Sequence, residues 1–251
     1  MHDESVHELL TPTNFEEAER IQEKWAKKFQ KKNLYSCLST NNVNAERDNV
    51  RFIAGVDVSY PKNPDPDYGL ACCVLWDKEK KEMIEHKTFR GDISFPYRPG
   101  FLGFREVPLM KEALERLENS FDLVITDGHG IIHPKHFGEA VHLGLILGKP
   151  TYGSAKAPFY GNIPENWKQI PREKGNYTEI YPEKGGILDQ TTTIGYAIVA
   201  RKSSKPIFIS PGYKTNLSLI KKITLEITLD HRNPEPVFLA DHISRKILRS
   251  N

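Results

Sequence analysis

Apolar runs bounded by turn residues predict the strands of this chain. The runs are short, and each contains Val, Ile or aromatic residues, which are typical of strands. They lie at Arg51 to Tyr60, Leu70 to Trp76, Glu82 to Phe89, Phe121 to Thr126, Pro150 to Ala155, Ile194 to Arg201 and Pro206 to Ser210. Short turns join the first three runs into a predicted antiparallel meander, and the last two predict a hairpin.

Apolar residues at helical spacing predict the helices. Asn14 caps the first helix, whose early glutamates and late lysines suit the helix dipole. The predicted helices run from Asn14 to about Lys32, Phe104 to Leu117, Phe137 to Leu147, Leu217 to Leu229 and Pro236 to Leu248. The order βββ-α-β-α-β, with added elements, predicts an α/β fold in which helices pack on a mixed sheet.

The chain of 251 residues is long enough for one large α/β domain or two small ones, and we expect a single domain over 1–251. Residues 1–50 form its N-terminal helical extension, in which 1–13 are expected to be frayed and 33–50 are polar and turn-rich. Residues 157–192 are expected to be an irregular insert. This insert is either a surface cover or an added nucleic-acid contact.

Composition indicates a globular protein from a reducing compartment. Hydrophobic residues make up 38% and charged residues 27%, and no apolar run reaches the length of a membrane span or a signal-peptide core. The cysteines Cys37, Cys72 and Cys73 match no zinc spacing, and the adjacent pair should face opposite sides of a strand. We therefore expect a cytoplasmic protein. A net charge of +2 permits a nucleic-acid partner without requiring one.

Two carboxylates stand among apolar residues. Asp57 is the single charge in the strand 52–58, and a buried unpaired carboxylate is costly, so a cation, a metal or a strong donor should accompany it. The alternative is an exposed strand end. Glu106 lies four residues before Met110 on the inward face of its helix, with Pro108 fitting the first turn. Complementing the helix dipole is the simpler role for Glu106, but its inward placement favours a site.

Asp127 begins a loop at the carboxyl end of a predicted strand, where open α/β sheets place their ligands. Gly128 and Gly130 let the backbone approach a ligand, and a helix follows. The loop therefore predicts a metal or phosphate site, with an Asx-type turn as the alternative. Hard cations such as Mg²⁺ take carboxylate oxygens, and two such ions can clamp a phosphodiester. Asp57, Glu106 and Asp127 would suit them if the three side chains converge.

Several separated motifs resemble those of the endonuclease V family. They are IAGVDVS at 53–59, PYRPGFLGFRE at 96–106, DGHGIIHP at 127–134, HLG at 142–144, GSAK at 153–156, PEP at 234–236 and AD at 240–241. The resemblance is strong over residues 50–156 and looser over 194–245. Several motifs in the right order are far more specific than any one alone. The resemblance implies a ribonuclease-H-like fold, a mixed β-sheet flanked by helices.

The resemblance implies a set of active-site residues. It assigns the metal carboxylates to Asp57, Glu106 and Asp127, in agreement with their unusual positions. It also places His133 and Lys156 at the active site, where a lysine can neutralise the scissile phosphate or orient the attacking water. From the residues alone, a loop-capping histidine and a solvated strand end are the simpler interpretations of these two.

The resemblance further implies a wedge that enters the duplex where the lesion base leaves it. The wedge residues are Pro96, Tyr97, Arg98 and Pro99. Proline stiffens the loop and tyrosine offers a stacking face. The family usually carries an aliphatic residue where Arg98 stands, and an arginine there can stack or grip phosphate. The pocket for the flipped base is assigned to Leu102, Gly128 and Gly138, because a flat base can lie against bare backbone.

The function implied by the resemblance is that of a DNA repair endonuclease. Such an enzyme hydrolyses the second phosphodiester bond 3′ to deoxyinosine with Mg²⁺, and Mn²⁺ is an alternative ion. The expected partner is DNA containing deoxyinosine, with inosine RNA as an alternative, and we expect a monomer without membrane association. The rival functions are a nuclease of inosine RNA or branched DNA and a catalytically inactive lesion-binding protein. The intact carboxylate set argues against the inactive protein.

Overall fold

A mixed eight-stranded sheet forms the centre of the computed structural model, which describes residues 8–31, 50–62, 67–185 and 188–250. The strands are β1 (Phe52–Ser59), β2 (Tyr68–Asp77), β3 (Glu82–Asp92), β4 (Leu123–Thr126), β5 (Thr151–Ala155), β6 (Tyr177–Ile180), β7 (Gly195–Ile198) and β8 (Ile207–Pro211). Their order in the sheet is β3-β2-β1-β4-β5-β8-β7-β6. β1, β4 and β5 are parallel, and the other neighbours are antiparallel. The predicted meander, hairpin and mixed sheet are confirmed.

Helices cover both faces of this sheet. They are α1 (Phe15–Lys31), α2 (Leu102–Leu114), α3 (Glu139–Leu147), α4 (Leu217–Ile227) and α5 (Glu235–Ser250). The side chains of a strand alternate between faces, so the apolar central strands are buried on both. Ile53 and Ile125 pack with residues of α4 and α5, whereas Ala54 and Val124 pack with residues of α2 and α3.

Helix α5 lies directly against β1. A Cβ built on Gly55 of β1 would be 2.3 Å from the backbone carbon of Pro236, so the glycine permits this close approach. The contact fixes α5 beside the strand that carries Asp57. Side chains on the inner face of α5 are thereby brought near the carboxyl end of β1.

The N-terminal segment is more ordered than its sequence suggests. Asn14 caps α1 as predicted, because its Oδ1 accepts a hydrogen bond from the Glu17 amide at 2.9 Å. The prediction of a frayed start is wrong for residues 8–13, since Leu9 is buried and its carbonyl lies 2.7 Å from Nε2 of His142. Leu9 and Leu10 form only a short apolar pair among polar residues, so they carry little sequence signal. Residues 1–7 and 32–49, with Cys37, lie outside the described residues.

Helix α2 begins at Leu102, two residues earlier than predicted. Pro108 therefore lies in the second turn and not in the first, so the prediction for this residue is wrong. The helical hydrogen bond from residue 108 to the carbonyl of Phe104 cannot form, because proline has no N–H. The helix continues nonetheless, with Val107, Met110 and other apolar residues buried.

The region 157–192 is not irregular throughout, which corrects the prediction. It contains a 3₁₀ helix (Glu165–Gln169) and the edge strand β6. The rings of Trp167 and Phe208 meet edge to face, with centroids 5.1 Å apart, and tie the region to the core. In β6 the buried residue is Ile180, so the strand carries little apolar pattern.

The described cysteines behave as their spacing predicts. Cys72 and Cys73 are buried and free, and they belong to different apolar clusters on the two sides of β2. In the described part of the chain, no helix is both long enough and apolar enough to cross a membrane.

Candidate active site

Asp57 and Asp127 lie side by side at the ends of parallel strands. Val56 of β1 pairs with Thr126 of β4, and these are the residues immediately before the two aspartates. The Asp127 amide donates to the Val56 carbonyl at 3.3 Å. Both carboxylates therefore lie at the same edge of the sheet, where α/β folds bind ligands. Burial raises the pKa of Asp57 well above its usual value, and the neighbouring Asp127 carboxylate adds to the shift.

Glu106 reaches the same region from α2, as its inward helical position predicts. Its side chain is 7% exposed, and its Oε1 accepts a hydrogen bond from the Tyr60 hydroxyl at 2.8 Å. Tyr60 follows the end of β1, and Nε of Arg105 donates to the same hydroxyl at 3.3 Å. Burial raises the pKa of Glu106, and the carboxylates of Glu139 and Asp57 raise it further. Tyr60 thus orients Glu106 within the carboxylate cluster.

Lys156 follows β5 and supplies positive charge to the cluster. Its ammonium contacts the Asp127 carboxylate and lies 3.6 Å from Oδ2 of Asp241 on α5. Asp241 also accepts a hydrogen bond from Nε of Arg245. Burial alone lowers the pKa of Lys156, but the carboxylates of Asp127, Asp241 and Asp57 together outweigh this effect and the pKa is raised. Lys156 is therefore charged, and it links aspartates from β4 and α5.

Glu139, the first residue of α3, is a further buried carboxylate of the site. Its side chain is 4% exposed, and neither carboxyl oxygen has a hydrogen bond of normal geometry within the described residues. Its polar neighbours are the carboxyl group of Glu106 and the hydroxyl of Thr126. Burial raises the pKa of Glu139 to about 7. The cluster therefore contains a carboxyl group that no cation of the described chain neutralises.

The cluster is short of positive charge. Its acidic side chains are those of Asp57, Glu106, Asp127, Glu139 and Asp241. Among the described residues, no group of three His, Cys, Asp or Glu side chains is arranged to hold a metal ion in the present side-chain positions. The Asp127 carboxylate contacts Lys156, and Oε1 of Glu106 accepts from the Tyr60 hydroxyl. The donor set is nevertheless all carboxylate oxygen, which hard divalent cations prefer, and the unpartnered oxygens of Glu139 lack a cation. These residues fit a divalent metal.

An apolar pocket of about 540 Å³ opens beside the carboxylates. All three residues predicted for a base pocket, Leu102, Gly128 and Gly138, line it. Asp127 and Lys156 line it as well, so the pocket adjoins the charged cluster. Its size and largely apolar wall suit a flat ring with polar groups at one end.

His133 lies in the wall of this pocket, and its hydrogen bonds lead away from the carboxylates. Its Nε2 is 2.9 Å from the Gly100 carbonyl, and its Nδ1 accepts from the Lys135 amide at 3.1 Å. This pattern requires the proton on Nε2. Burial lowers the pKa of His133 to about 4, so the ring is neutral. It fixes Gly100 and packs against the ring of Phe159, with centroids 5.7 Å apart.

The loop 96–99 stands exposed at the mouth of the pocket. Tyr97 is 65% exposed, and Tyr97 and Pro99 both line the pocket. The guanidinium carbon of Arg98 lies 5.1 Å from the ring centroid of Phe15 and 5.4 Å from that of Phe101. Arg98 therefore stacks on aromatic rings of its own chain, whereas Tyr97 projects outward.

Two acidic residues of the cluster, Glu139 and Asp241, escape prediction from the sequence. An acidic residue at a helix start is ordinary because it complements the dipole, so nothing marks Glu139. Asp241 lies one turn after the buried Val237 and next to the buried Ala240 on α5. A carboxylate beside the apolar stripe of a helix is the signal that could have identified it.

The sheet is ribonuclease-H-like, and carboxylates lie at the ends of its parallel strands beside a ring-sized pocket. This combination defines a nuclease-type hydrolase. The family model of Endonuclease V matches residues 33–242. The chain belongs to the Endonuclease V family.

Individual relatives agree with this assignment. The endonuclease V of Bacillus velezensis is 40% identical over 209 residues, which cover 81% of this chain and 84% of the relative. The crystal structure of Bacillus subtilis endonuclease V has a TM-score of 0.76 and 32% identity, and covers 98% of this chain and 96% of that one. The endonuclease V of Ciona intestinalis has a TM-score of 0.74 and 26% identity, and the match covers 90% of this chain and 97% of that one. Its crystal structure holds a 24-mer DNA containing an inosine followed by a ribo-adenosine. The predicted fold is confirmed.

Proposed function

We propose that this protein is a DNA repair endonuclease that recognises deoxyinosine and hydrolyses the second phosphodiester bond on its 3′ side. The observation that carries the proposal is the junction between the apolar pocket and the carboxylate cluster, which share Asp127 and Lys156. A base held in the pocket would place the following backbone near these groups. The family is metal-dependent in general terms, and the Ciona complex with inosine-containing DNA supports the same kind of partner here.

The metal in this proposal is Mg²⁺, with Mn²⁺ as the alternative, held by Asp57, Glu106 and Asp127. When bound, the metal polarises the phosphodiester and lowers the pKa of the attacking water. The protein's own contribution is to hold the carboxylates in place. The parallel pairing of β1 and β4 fixes the two aspartates, and the Tyr60 hydroxyl fixes Glu106.

Lys156 and His133 have different roles in this proposal. The Lys156 ammonium is protonated and lies at the border of pocket and cluster, where it can neutralise a phosphate oxygen. His133 is neutral and holds the Gly100 carbonyl, so it shapes the pocket and moves no proton. Preorganised charge at the reacting phosphate is the larger contribution to the rate, and pocket shape contributes to recognition.

Recognition in this proposal combines the pocket with the wedge. Deoxyinosine pairs poorly, so extruding its base costs less than extruding a normal one. Leu102, Gly128 and Gly138 receive the base, and Tyr97 stacks in the gap that it leaves. The protein acts as a monomer in this account, because the pocket and the cluster are built from one chain.

Inosine RNA is the second candidate substrate, since the DNA bound by the Ciona relative carries a ribo-adenosine after the inosine. The test compares labelled strands of one sequence that carry deoxyinosine, inosine or an unmodified purine, incubated with Mg²⁺. The matched control is Asp127→Asn, which keeps the shape and removes the charge. The proposal predicts cutting of the deoxyinosine strand by the wild type alone. If only the strand with inosine is cut, the protein is an endonuclease of inosine RNA and the proposal of a deoxyinosine nuclease is wrong. Binding of the deoxyinosine strand without cutting would indicate an inactive lesion-binding protein.

A further inference from the structure

A second cavity, of about 570 Å³, also borders the carboxylate cluster. Asp57 and Tyr60 line it on the side of the cluster, whereas Asp127 and Lys156 line the base pocket. Asp57 is buried next to Asp127 and Lys156, so the lining of the second cavity adjoins the lining of the base pocket. The cluster therefore stands between an apolar pocket and a second cavity of different character.

Positive charge distinguishes this second cavity. Lys62, just after β1, and Arg245 and Arg249, near the end of α5, line it, and we call these three residues the basic groove. Asp57 is the one acidic residue among the described residues that line the cavity. A metal on Asp57 would leave the groove strongly positive, and such a surface suits a polyanion.

The three cations differ in how they are held. Arg245 donates to Asp241 and is thereby anchored to the cluster. Lys62 and Arg249 are exposed, and neither forms an ion pair with any described residue. Arg249 also complements the dipole at the end of α5, but Lys62 follows a strand and has no such role. Lys62 and Arg249 are therefore available to neutralise phosphates.

We propose that the basic groove binds the phosphodiester backbone of the cut strand on the 3′ side of the cleavage position. This inference rests on the proposed function, which places the lesion in the apolar pocket and the cut 3′ to it. The strand would then run from the pocket, across the carboxylates and into the basic groove. The occupant is a nucleic-acid backbone because lysine and arginine side chains bind phosphates, and three of the eight residues that line the cavity are such cations.

The test measures how salt affects binding of two deoxyinosine duplexes. In one duplex, the strand to be cleaved continues well beyond the cleavage position. In the other, that strand ends one nucleotide after the cleavage position. Fluorescence anisotropy with Ca²⁺ in place of Mg²⁺ would report binding by the full chain carrying Lys62→Ala, Arg249→Ala or both. The matched control is Lys246→Ala, which removes an exposed cation from the same helix but outside the groove. Arg245 is left intact because it holds Asp241.

Each groove substitution is expected to reduce the salt slope on the long duplex by about 0.9 and to leave the truncated duplex unchanged. Lys246→Ala should change neither slope. Equal losses on both duplexes, or groove variants that behave like Lys246→Ala, would overturn the inference. The proposed function is judged separately, by comparing wild-type affinity for duplexes with and without the lesion. If that preference is absent but the groove variants still lower the slope, the lesion assignment fails while the phosphate groove stands.

Discussion

The carboxyl group of Glu139 packs directly on Gly128, with no space between them for a side chain. A Cβ built on Gly128 would lie 2.3 Å from Oε2 of Glu139 and 3.1 Å from its carboxyl carbon. Gly128 follows the predicted metal ligand Asp127 and lines the base pocket. The pair therefore connects pocket shape to the carboxylate cluster, because a change at either residue has to be absorbed by the other.

Gly128→Ala should destabilise the protein by about 1–3 kcal/mol, the usual cost of overpacking a buried site. The same change in a Glu139→Ala background should cost much less, because the colliding carboxyl group is gone. Urea unfolding of the wild type, both single variants and the double variant measures this coupling. If the effects of the two substitutions simply add, the close packing of these residues has no energetic consequence.

Glu139 should also make the metal-free protein less stable as pH rises. Its pKa is about 7 in the folded chain and 4.5 in its ordinary state, so the folded protein binds the proton more tightly. The stabilising contribution of Glu139 is therefore fully present below about pH 4.5 and is lost as pH rises through about pH 7, a change on the order of 3 kcal/mol from this group. Glu139→Gln cannot titrate and should lose less stability between about pH 5 and about pH 8. Parallel unfolding curves for both proteins in EDTA would contradict the burial argument.

Glu106→Gln should keep the fold and lose most of the activity. The amide oxygen can still accept the Tyr60 hydrogen bond, so the packing of α2 should persist. The missing charge weakens a hard cation, and we expect a loss of at least about 100-fold at limiting Mg²⁺. Rates measured over a Mg²⁺ titration, together with thermal melting, test this. A variant with the wild-type Mg²⁺ dependence would remove Glu106 from the metal site.

Tyr97→Ala should impair recognition and leave the fold intact, since the side chain is 65% exposed. Loss of one stack should weaken binding to deoxyinosine duplex by about 1–3 kcal/mol. Single-stranded deoxyinosine DNA needs less unstacking and should be affected less. Both affinities must be measured at one salt concentration, because salt alone shifts them. Equal losses on the two substrates would identify Tyr97 as a general contact and exclude the wedge role.

Asp127→Ala should abolish cleavage while lesion binding survives. Asp127 directly follows β4 and lies among the carboxylates, whereas most of the pocket wall comes from other residues. The substitution frees Lys156 from its aspartate, so affinity for a phosphate should not fall. Binding with Ca²⁺ and cleavage with Mg²⁺ are measured on the same duplex. Near-normal cleavage would exclude Asp127 from the mechanism.

The sequence predicts the candidate site best where a residue contradicts its surroundings. Asp57 is a charge in an apolar strand, and Glu106 lies on the inward face of a helix, so both stand out without any structure. The convergence of Asp57 and Asp127 depends on the parallel register of β1 and β4, which no local pattern encodes. Glu139 and Asp241 are ordinary in their own helices and become unusual only through packing.

The fold shows the same division between local pattern and packing. Strands with continuous apolar runs, such as β1 and β4, are found where their sequences predict them. Strand β6 buries Ile180 at one end and otherwise carries polar residues, so its membership of the sheet depends on pairing with β7. Leu9 likewise gives no periodic signal, and its burial follows from the tertiary contact with His142.

In the proposed function, the carboxylate cluster cuts DNA at the second phosphodiester bond on the 3′ side of a base held in the adjacent pocket. The most direct measurement maps the products of a duplex that carries a single deoxyinosine and an end label, incubated with and without Mg²⁺. We expect one cut, at the second phosphodiester bond 3′ to the lesion, that requires Mg²⁺ and is lost in Asp127→Asn. Cutting that ignores the lesion, or that persists in the Asp127→Asn variant, would contradict it.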